Sequence, residues 1–227
     1  MATIARWRAD PRQVHPTARE RRVDVATIDH QVLQLFGMVA ERVAAATDAF
    51  LDGDREAAKD LVASEPMVDS LHLDIEALVV SELGRRSVLD DEELQLLVLV
   101  LRIVPELERS ADLVEHVALR TGQGLDRSIS PAARGHIADM GRVAARMWQV
   151  AATAYARRDL AAAELLRTAD DELDDPHVRL TDELGRADLP PSAAIELGLV
   201  ARFLERLGDH AVNVTRRLGP APVPEAG

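Results

Sequence analysis

Residues 203–214 read Phe-Leu-Glu-Arg-Leu-Gly-Asp-His-Ala-Val-Asn-Val. This spacing places Glu205 and Asp209 one turn apart on the same face of a helix, because residues four apart on a helix are neighbours. Residues 106–117 repeat the pattern as Glu-Leu-Glu-Arg-Ser-Ala-Asp-Leu-Val-Glu-His-Val. The upstream copy keeps the carboxylate spacing. The two copies indicate an internal duplication with one carboxylate pair in each half.

Apolar residues recur at helical spacing through most of the chain, and short breaks divide it into six segments. The predicted helices are 24–52, 55–83, 90–120, 131–158, 159–184 and 191–219. Ala, Leu and Val dominate the apolar residues and aromatic residues are only 3%, which suits packed helices better than sheets. We therefore predict an all-α fold of two tandem up-down three-helix bundles, in a six-helix duplication.

The domain organisation follows from the repeat and from the charge distribution. We assign residues 1–22 to a basic flexible N-terminal arm, 23–122 and 129–219 to the two three-helix repeats, and 220–227 to a disordered tail. The net charge is −12, although the arm holds six Arg against two acidic residues. An acidic body disfavours nucleic-acid binding. The arm is most simply a solvated tail, and it also allows peripheral association with an anionic membrane.

Several classes of protein and of site are disfavoured by what the sequence lacks. The chain has no Cys, which excludes disulfides and thiolate metal sites and fits a cytoplasmic protein. It has no uncharged apolar stretch of about 18 residues that would span a membrane, and its start lacks the apolar core of a secretion signal. A Walker-type phosphate loop, paired Glu-x-x-His motifs and a nucleophilic triad are also missing. We predict a protein that is not an enzyme.

Each half is predicted to bring four carboxylates to one level. Residues that lie at equal distances from a hairpin turn face each other across an antiparallel helix pair. In each half, two acidic residues of the second helix satisfy this condition with the carboxylate pair of the third helix. The predicted cluster residues are Glu65, Asp69, Glu108 and Asp112 in the first half, and Asp170, Asp174, Glu205 and Asp209 in the second. Clusters of oxygen ligands suit Mg²⁺, Mn²⁺, Ca²⁺ and iron.

Two His residues occupy equivalent positions of the repeat and lie near the predicted clusters. His72 and His177 each follow a cluster aspartate by three residues, so each could ligate a cation or support a ligand, although ordinary packing is the simpler interpretation. The alternative to a metal site is a solvated acidic helix face with Arg109 and Arg206 as local counter-ions. The presence of the same arrangement in both halves favours metal binding.

Three prolines fall inside the predicted helices close to the carboxylates. Pro66, Pro105 and Pro176 each remove a backbone hydrogen bond. They predict local kinks that shape the site, or helix breaks at these positions.

Residues 204–213 resemble the signature of the PhoU family, regulators of bacterial phosphate uptake. Residues 107–112 match it more loosely, since Ser110 and Ala111 replace a large apolar residue and a glycine. The resemblance covers roughly residues 24–219. It implies a cytoplasmic negative regulator that links the ATPase subunit of a phosphate ABC transporter to a sensor histidine kinase.

The resemblance also implies metal binding. Some members of the family bind metal clusters through acidic motifs that correspond here to Glu108 with Asp112 and Glu205 with Asp209. The cations expected on that basis are Fe, Zn, Mn or Mg, and a homodimer is compatible with the sequence. Two other functions stay open: a metal-dependent enzyme that uses the same carboxylates, and a metal-free helical adaptor without a phosphate role.

Overall fold

The computed structural model describes residues 25–84, 89–127 and 129–219. Its α-helices are α1 (Val25–Asp52), α2 (Arg55–Ala63), α3 (Glu65–Leu83), α4 (Asp91–Thr121), α5 (Pro131–Arg157), α6 (Ala162–Arg186) and α7 (Pro191–Arg217), with a 3₁₀ turn at Leu125–Arg127. No strand occurs in these described ranges, which confirms the predicted all-α fold. The predicted arm, 1–22, and tail, 220–227, lie outside the described residues.

Two helices begin at residues that are typical of helix N-termini. Asp90 accepts a hydrogen bond from the Glu93 backbone at 2.8 Å, and the Glu93 side chain accepts one from the Asp90 backbone at 3.1 Å. This reciprocal cap satisfies two backbone donors at the start of α4. Ser130 caps α5 through a 3.0 Å bond from the backbone of Ala133, and Pro131 occupies the first turn, where its missing N–H costs nothing.

The prediction of one continuous helix over 55–83 is wrong, because the structure has two helices there. α2 ends at Ala63, Ser64 stands between the helices, and α3 begins at Glu65 with Pro66 in its first turn. Pro66 has no N–H with which to continue the helical ladder, so the chain starts a new helix there. Pro105 and Pro176, in contrast, lie inside α4 and α6.

The two three-helix repeats share one core. The first repeat consists of α1, the broken pair α2 and α3, and α4; the second consists of α5, α6 and α7. In the centre, α1 and α7 each contact both α4 and α5. A single cluster of buried apolar side chains runs through both repeats. The predicted carboxylates lie where this centre meets its neighbouring helices, since α3 packs against α4 and α6 packs against α7.

None of the described helices has an apolar stretch long enough to cross a membrane.

Two carboxylate clusters as the candidate functional site

The first cluster lies between α3 and α4. Glu65 is buried with 7% of its surface exposed, Asp69 is exposed, and Glu108 and Asp112 are half-buried. Burial is the main cause that raises the pKa of Glu65. The negative charges of Glu115, Asp69 and Asp112 raise it further. The structure therefore brings the four predicted carboxylates near one another and adds Glu115, which was not predicted.

The second cluster lies between α6 and α7. Asp170, Glu205 and Asp209 are half-buried and Asp174 is exposed. Burial, reinforced first by Asp209 and then by Asp174 and Glu205, raises the pKa of Asp170 to about 6. Burial and the charge of Asp209 also raise the pKa of Glu205. The charges of the other three predicted carboxylates thus all act on Asp170, which places the four near one another.

The positive charges beside the clusters differ between the halves. In the first half, Arg42 of α1 forms an ion pair with Glu65, and both side chains are more than nine-tenths buried. In the second half, Arg202 approaches Glu205 at 2.5 Å, but its side chain is 55% exposed. Arg42 was not among the residues predicted from the sequence. Its signal is an arginine within the buried apolar face of α1, between Val39 and Val43.

Of the two counter-ions predicted from sequence, Arg109 pairs with a carboxylate outside the predicted clusters. Arg109 forms its ion pair with Glu106 at 2.7 Å, and Arg206 is exposed. Burial raises the pKa of Glu108, and Arg109 is among the charges that oppose this shift. A solvated acidic face neutralised mainly by Arg109 does not describe the first cluster, because the buried Arg42 forms the ion pair with Glu65.

The two equivalent histidines lie beside the clusters. His72 and His177 are both half-buried. Burial raises the pKa of Glu108 while His72 opposes the shift, and His177 stands in the same relation to Glu205. His72 Nε2 also lies 3.1 Å from a Glu76 oxygen. Each histidine therefore neighbours the glutamate that the C-terminal helix of its own repeat contributes.

The donor chemistry of both clusters suits a hard cation, since it consists of carboxylate oxygens with a nearby imidazole. Glu65 keeps one buried oxygen without a hydrogen-bond partner. As the side chains stand, however, no three His, Asp or Glu side chains of the described ranges form a group that could hold a metal ion. Metal binding by the eight carboxylates stays a prediction.

A second polar group, buried between α4 and α7, was not predicted. Glu106 accepts ion pairs from Arg109 and from Arg217, the latter at 2.6 Å. The Ser110 hydroxyl lies 3.0 Å from His210 Nδ1 and donates to the backbone oxygen of Glu106 at 2.6 Å. Glu106 Oε2 lies 3.9 Å from the same Nδ1. In a nucleophilic triad the serine and the carboxylate face opposite ring nitrogens, so this group is a polar contact between the repeats.

The equivalent position of the second repeat holds an aromatic residue instead of a carboxylate. Phe203 corresponds to Glu106, and Arg120 lies over its ring at 4.7 Å. His116 stacks on the same ring with centroids 5.3 Å apart. Both duplicated arginines pair with a carboxylate, Arg217 with Glu106 and Arg120 with Glu196 at 2.9 Å, and Arg120 also lies over an aromatic ring. The two repeats are alike in backbone and unequal in side-chain chemistry.

Comparison with known proteins identifies the family. The PhoU domain model matches residues 32–121 and 137–218. The phosphate-specific transport system accessory protein PhoU homolog 2 of Mycobacterium tuberculosis is 28% identical, over 81% of this chain and 86% of that protein. The PhoU homolog of Deinococcus radiodurans is 26% identical, over 86% of this chain and 92% of its own length.

Solved structures agree with this assignment. The crystal structure of PhoU from Pseudomonas aeruginosa is similar with a TM-score of 0.78 and 25% identity, over 86% of this chain and 94% of that one. The PhoU structure from Streptococcus pneumoniae shares the fold, with a TM-score of 0.74 and 18% identity over 86% and 92% of the two chains. Because the family model matches both repeats, with the acidic motifs inside the matched ranges, this chain belongs to the PhoU family.

Proposed function

We propose that this protein is a non-enzymatic accessory regulator of phosphate transport. It represses phosphate uptake and phosphate-responsive transcription, and it couples the ATPase subunit of a phosphate ABC transporter to a sensor histidine kinase. The observation that carries the proposal is the PhoU domain match across both repeats. The relatives that are named as phosphate-transport accessory proteins support it, since they align over most of their own length.

The carboxylate clusters give this regulator a way to respond to cations. Four carboxylates held close together by packed helices repel one another, and a bound cation relieves that repulsion. Glu205, Asp209 and Asp170 would hold the cation in the second half, with Asp174 at the exposed side. A cation between α6 and α7 would stabilise this helix pair and change the surface that partner proteins meet.

Deletion of the gene tests the regulatory role. In phosphate-rich medium, the deletion strain should keep phosphate-responsive transcription and phosphate uptake switched on, and a plasmid copy of the gene should switch both off again. Unchanged transcription and uptake after deletion would contradict the proposal.

Metal analysis of the purified protein tests the cation-binding role. The wild type should carry more metal per chain than Glu205→Gln/Asp209→Asn. The matched control is Glu172→Gln/Asp175→Asn, which removes two exposed carboxylates of α6; Glu172 faces α5 through an ion pair with Arg146. Equal metal content in all three proteins would rule out cation binding by the second cluster.

A further inference from the structure

Arg42 is a buried arginine beside Glu65 of the first carboxylate cluster. It projects from α1 with 7% of its surface exposed. Its guanidinium donates to the Ser64 hydroxyl at 2.6 Å and to the backbone oxygen of Leu61 at 3.1 Å, and it pairs with Glu65. A buried guanidinium with a carboxylate and two further acceptors is fixed in place by several bonds at once.

The residues at the break between α2 and α3 provide the hydrogen-bond acceptors for this guanidinium. Leu61 lies in the last turn of α2, where carbonyl oxygens have lost their usual helical partners. Ser64 stands at the break itself. A helix C-terminus favours positive charge, and Glu65 starts the next helix beside it. The broken helix therefore presents a carbonyl, a hydroxyl and a carboxylate to one side chain of α1.

The second half has no helix break at the equivalent position. Helices α1 and α5 end at the equivalent positions Asp52 and Arg157, and the tenth residue before each end is Arg42 in α1 and Met147 in α5. The same alignment pairs Glu65 with Asp170. Helix α6 runs unbroken past Asp170.

Met147 lies beside the second cluster, as Arg42 lies beside the first. A Cβ atom built on Gly208 would lie 2.9 Å from Asp170 Oδ1 and 3.4 Å from Met147 Cε, so these three residues meet. An apolar thioether thus stands where the first half has a guanidinium. Within the described part of the chain, the arginine that pairs with this cluster is Arg202, which approaches Glu205 from the exposed side.

We propose that Arg42 is the built-in counter-ion of the first cluster, and that binding of a divalent cation is confined to the second. A guanidinium among the carboxylates satisfies the charge that a metal ion would otherwise neutralise, and it repels any second cation at that place. The second cluster has four carboxylates, with Asp170 in the place of Glu65 and no equivalent of Glu115. Its arginine partner, Arg202, is exposed and not buried among the carboxylates, so the place that Arg42 fills in the first half is open to a cation. The inference rests on the cation-binding part of the proposed function.

Paramagnetic mapping with Mn²⁺ tests this in the wild-type protein. Mn²⁺ broadens nuclear magnetic resonance signals of nearby residues. At one equivalent, we expect the backbone amide signals of Ala169 to Leu173 and of Gly208 to disappear, while those of Val68 and Ala111 persist. Broadening of both groups to the same extent would overturn the inference, and so would broadening around Val68 and Ala111 alone.

Exchange of the two equivalent residues tests it by stoichiometry. Arg42→Met copies the second half into the first and should bind at least one more Mn²⁺ per chain than the wild type. Met147→Arg makes the reverse change and should bind less. Arg42→Lys keeps the positive charge and should match the wild type. Equal stoichiometry in the wild type and in folded Arg42→Met protein would overturn the inference, and circular dichroism verifies folding.

The outcomes separate this inference from the proposed function. If the wild type binds Mn²⁺ in both clusters, only the inequality of the halves fails. If it binds none, the cation-binding role fails together with this inference, while the transcription measurement still decides the regulatory role.

Discussion

Gly208 allows a close approach of α6 to α7 beside the second cluster. A Cβ atom at this position would lie 2.4 Å from Leu173 Cδ1 and 2.9 Å from Asp170 Oδ1. Real side-chain contacts do not come this close, so a larger residue must push the helices apart or displace both side chains. The glycine of the motif is therefore explained by packing as well as by the position of Asp170.

Gly208→Ala should lower the free energy of unfolding by about 1–3 kcal/mol, because the added methyl group overpacks the contact between the helices. Gly198→Ala is the matched control on the same helix, since nothing lies within 4 Å of its added Cβ. That control should raise stability by about 0.5–1 kcal/mol through helix propensity. Urea unfolding measures both; equal effects of the two substitutions would contradict the packing argument.

Asp170 makes stability depend on pH. Its folded-state pKa of about 6 lies above the ordinary value of 3.8. Between these values the unfolded chain loses the proton and the folded chain keeps it, so stability falls as pH rises from about 4 to 6. The full shift would correspond to about 1.4 kcal/mol per pKa unit, but solvent screening at a half-exposed site reduces the effect to on the order of 1 kcal/mol.

Asp170→Asn should therefore stabilise the metal-free protein at pH 7 by on the order of 1 kcal/mol, and the gain should vanish at pH 4. Thermal unfolding in a chelating buffer at the two pH values measures it. Asp175→Asn, at an exposed position on the same helix, controls for the change of net charge. A stabilisation that is the same at both pH values would contradict the assignment.

The break between α2 and α3 is the element that distinguishes the first repeat. Ser64 joins the two helices to α1, because its hydroxyl accepts from Arg42 at 2.6 Å and donates to the Leu61 oxygen at 2.8 Å.

Ser64→Ala should lower the free energy of unfolding by about 1–2 kcal/mol, because a charged donor loses an acceptor in a partly buried place. Thr153→Ala, which removes only an exposed bond to the backbone of its own helix, should cost less. A smaller loss for Ser64→Ala than for Thr153→Ala would contradict this role.

Repeat spacing made the helices and both clusters predictable. The four-residue spacing of Glu205 and Asp209, and the symmetry about each hairpin turn, require only regular helices, and α3 with α4 and α6 with α7 supply them. Helix ends were predictable within a few residues where acidic residues or Pro131 mark them. The break at Ser64 was not, because Pro66, Pro105 and Pro176 look alike in sequence and only tertiary packing decides which of them interrupts a helix.

The contacts between helices distant in sequence were not predictable from spacing. Arg42 meets Glu65 because α1 packs against α3, and His210 meets Ser110 because α4 packs against α7. The repeat pattern predicts which residues face each other within one helix hairpin. It contains no information on how the first helix of a half packs against that hairpin, or on the crossing of helices from different halves. An arginine on an apolar helix face is the one sequence signal that points to such a buried pair.

The two repeats form one structural unit, because they share a core. Helices α5 and α7 contact α1 and α4 of the other repeat, so separation of the halves exposes apolar surface such as Phe36, Trp148 and Val214, each fully buried in the complete chain.

The fragment 129–219 should therefore fail to fold alone, whereas the intact protein should unfold in one cooperative transition. Circular dichroism of the fragment and calorimetry of the full chain test this. A stable helical monomer of the fragment, with a transition of its own, would show that the second repeat is an independent domain.

The measurement that tests the account most directly is complementation of a deletion strain with a variant of the second cluster. Wild-type protein should repress phosphate-responsive transcription in phosphate-rich medium, as should the control Glu172→Gln/Asp175→Asn. The cluster variant Asp170→Asn/Glu205→Gln/Asp209→Asn, present at the same cellular level, should leave transcription switched on. Full repression by the cluster variant would contradict the claim that these carboxylates carry the regulation.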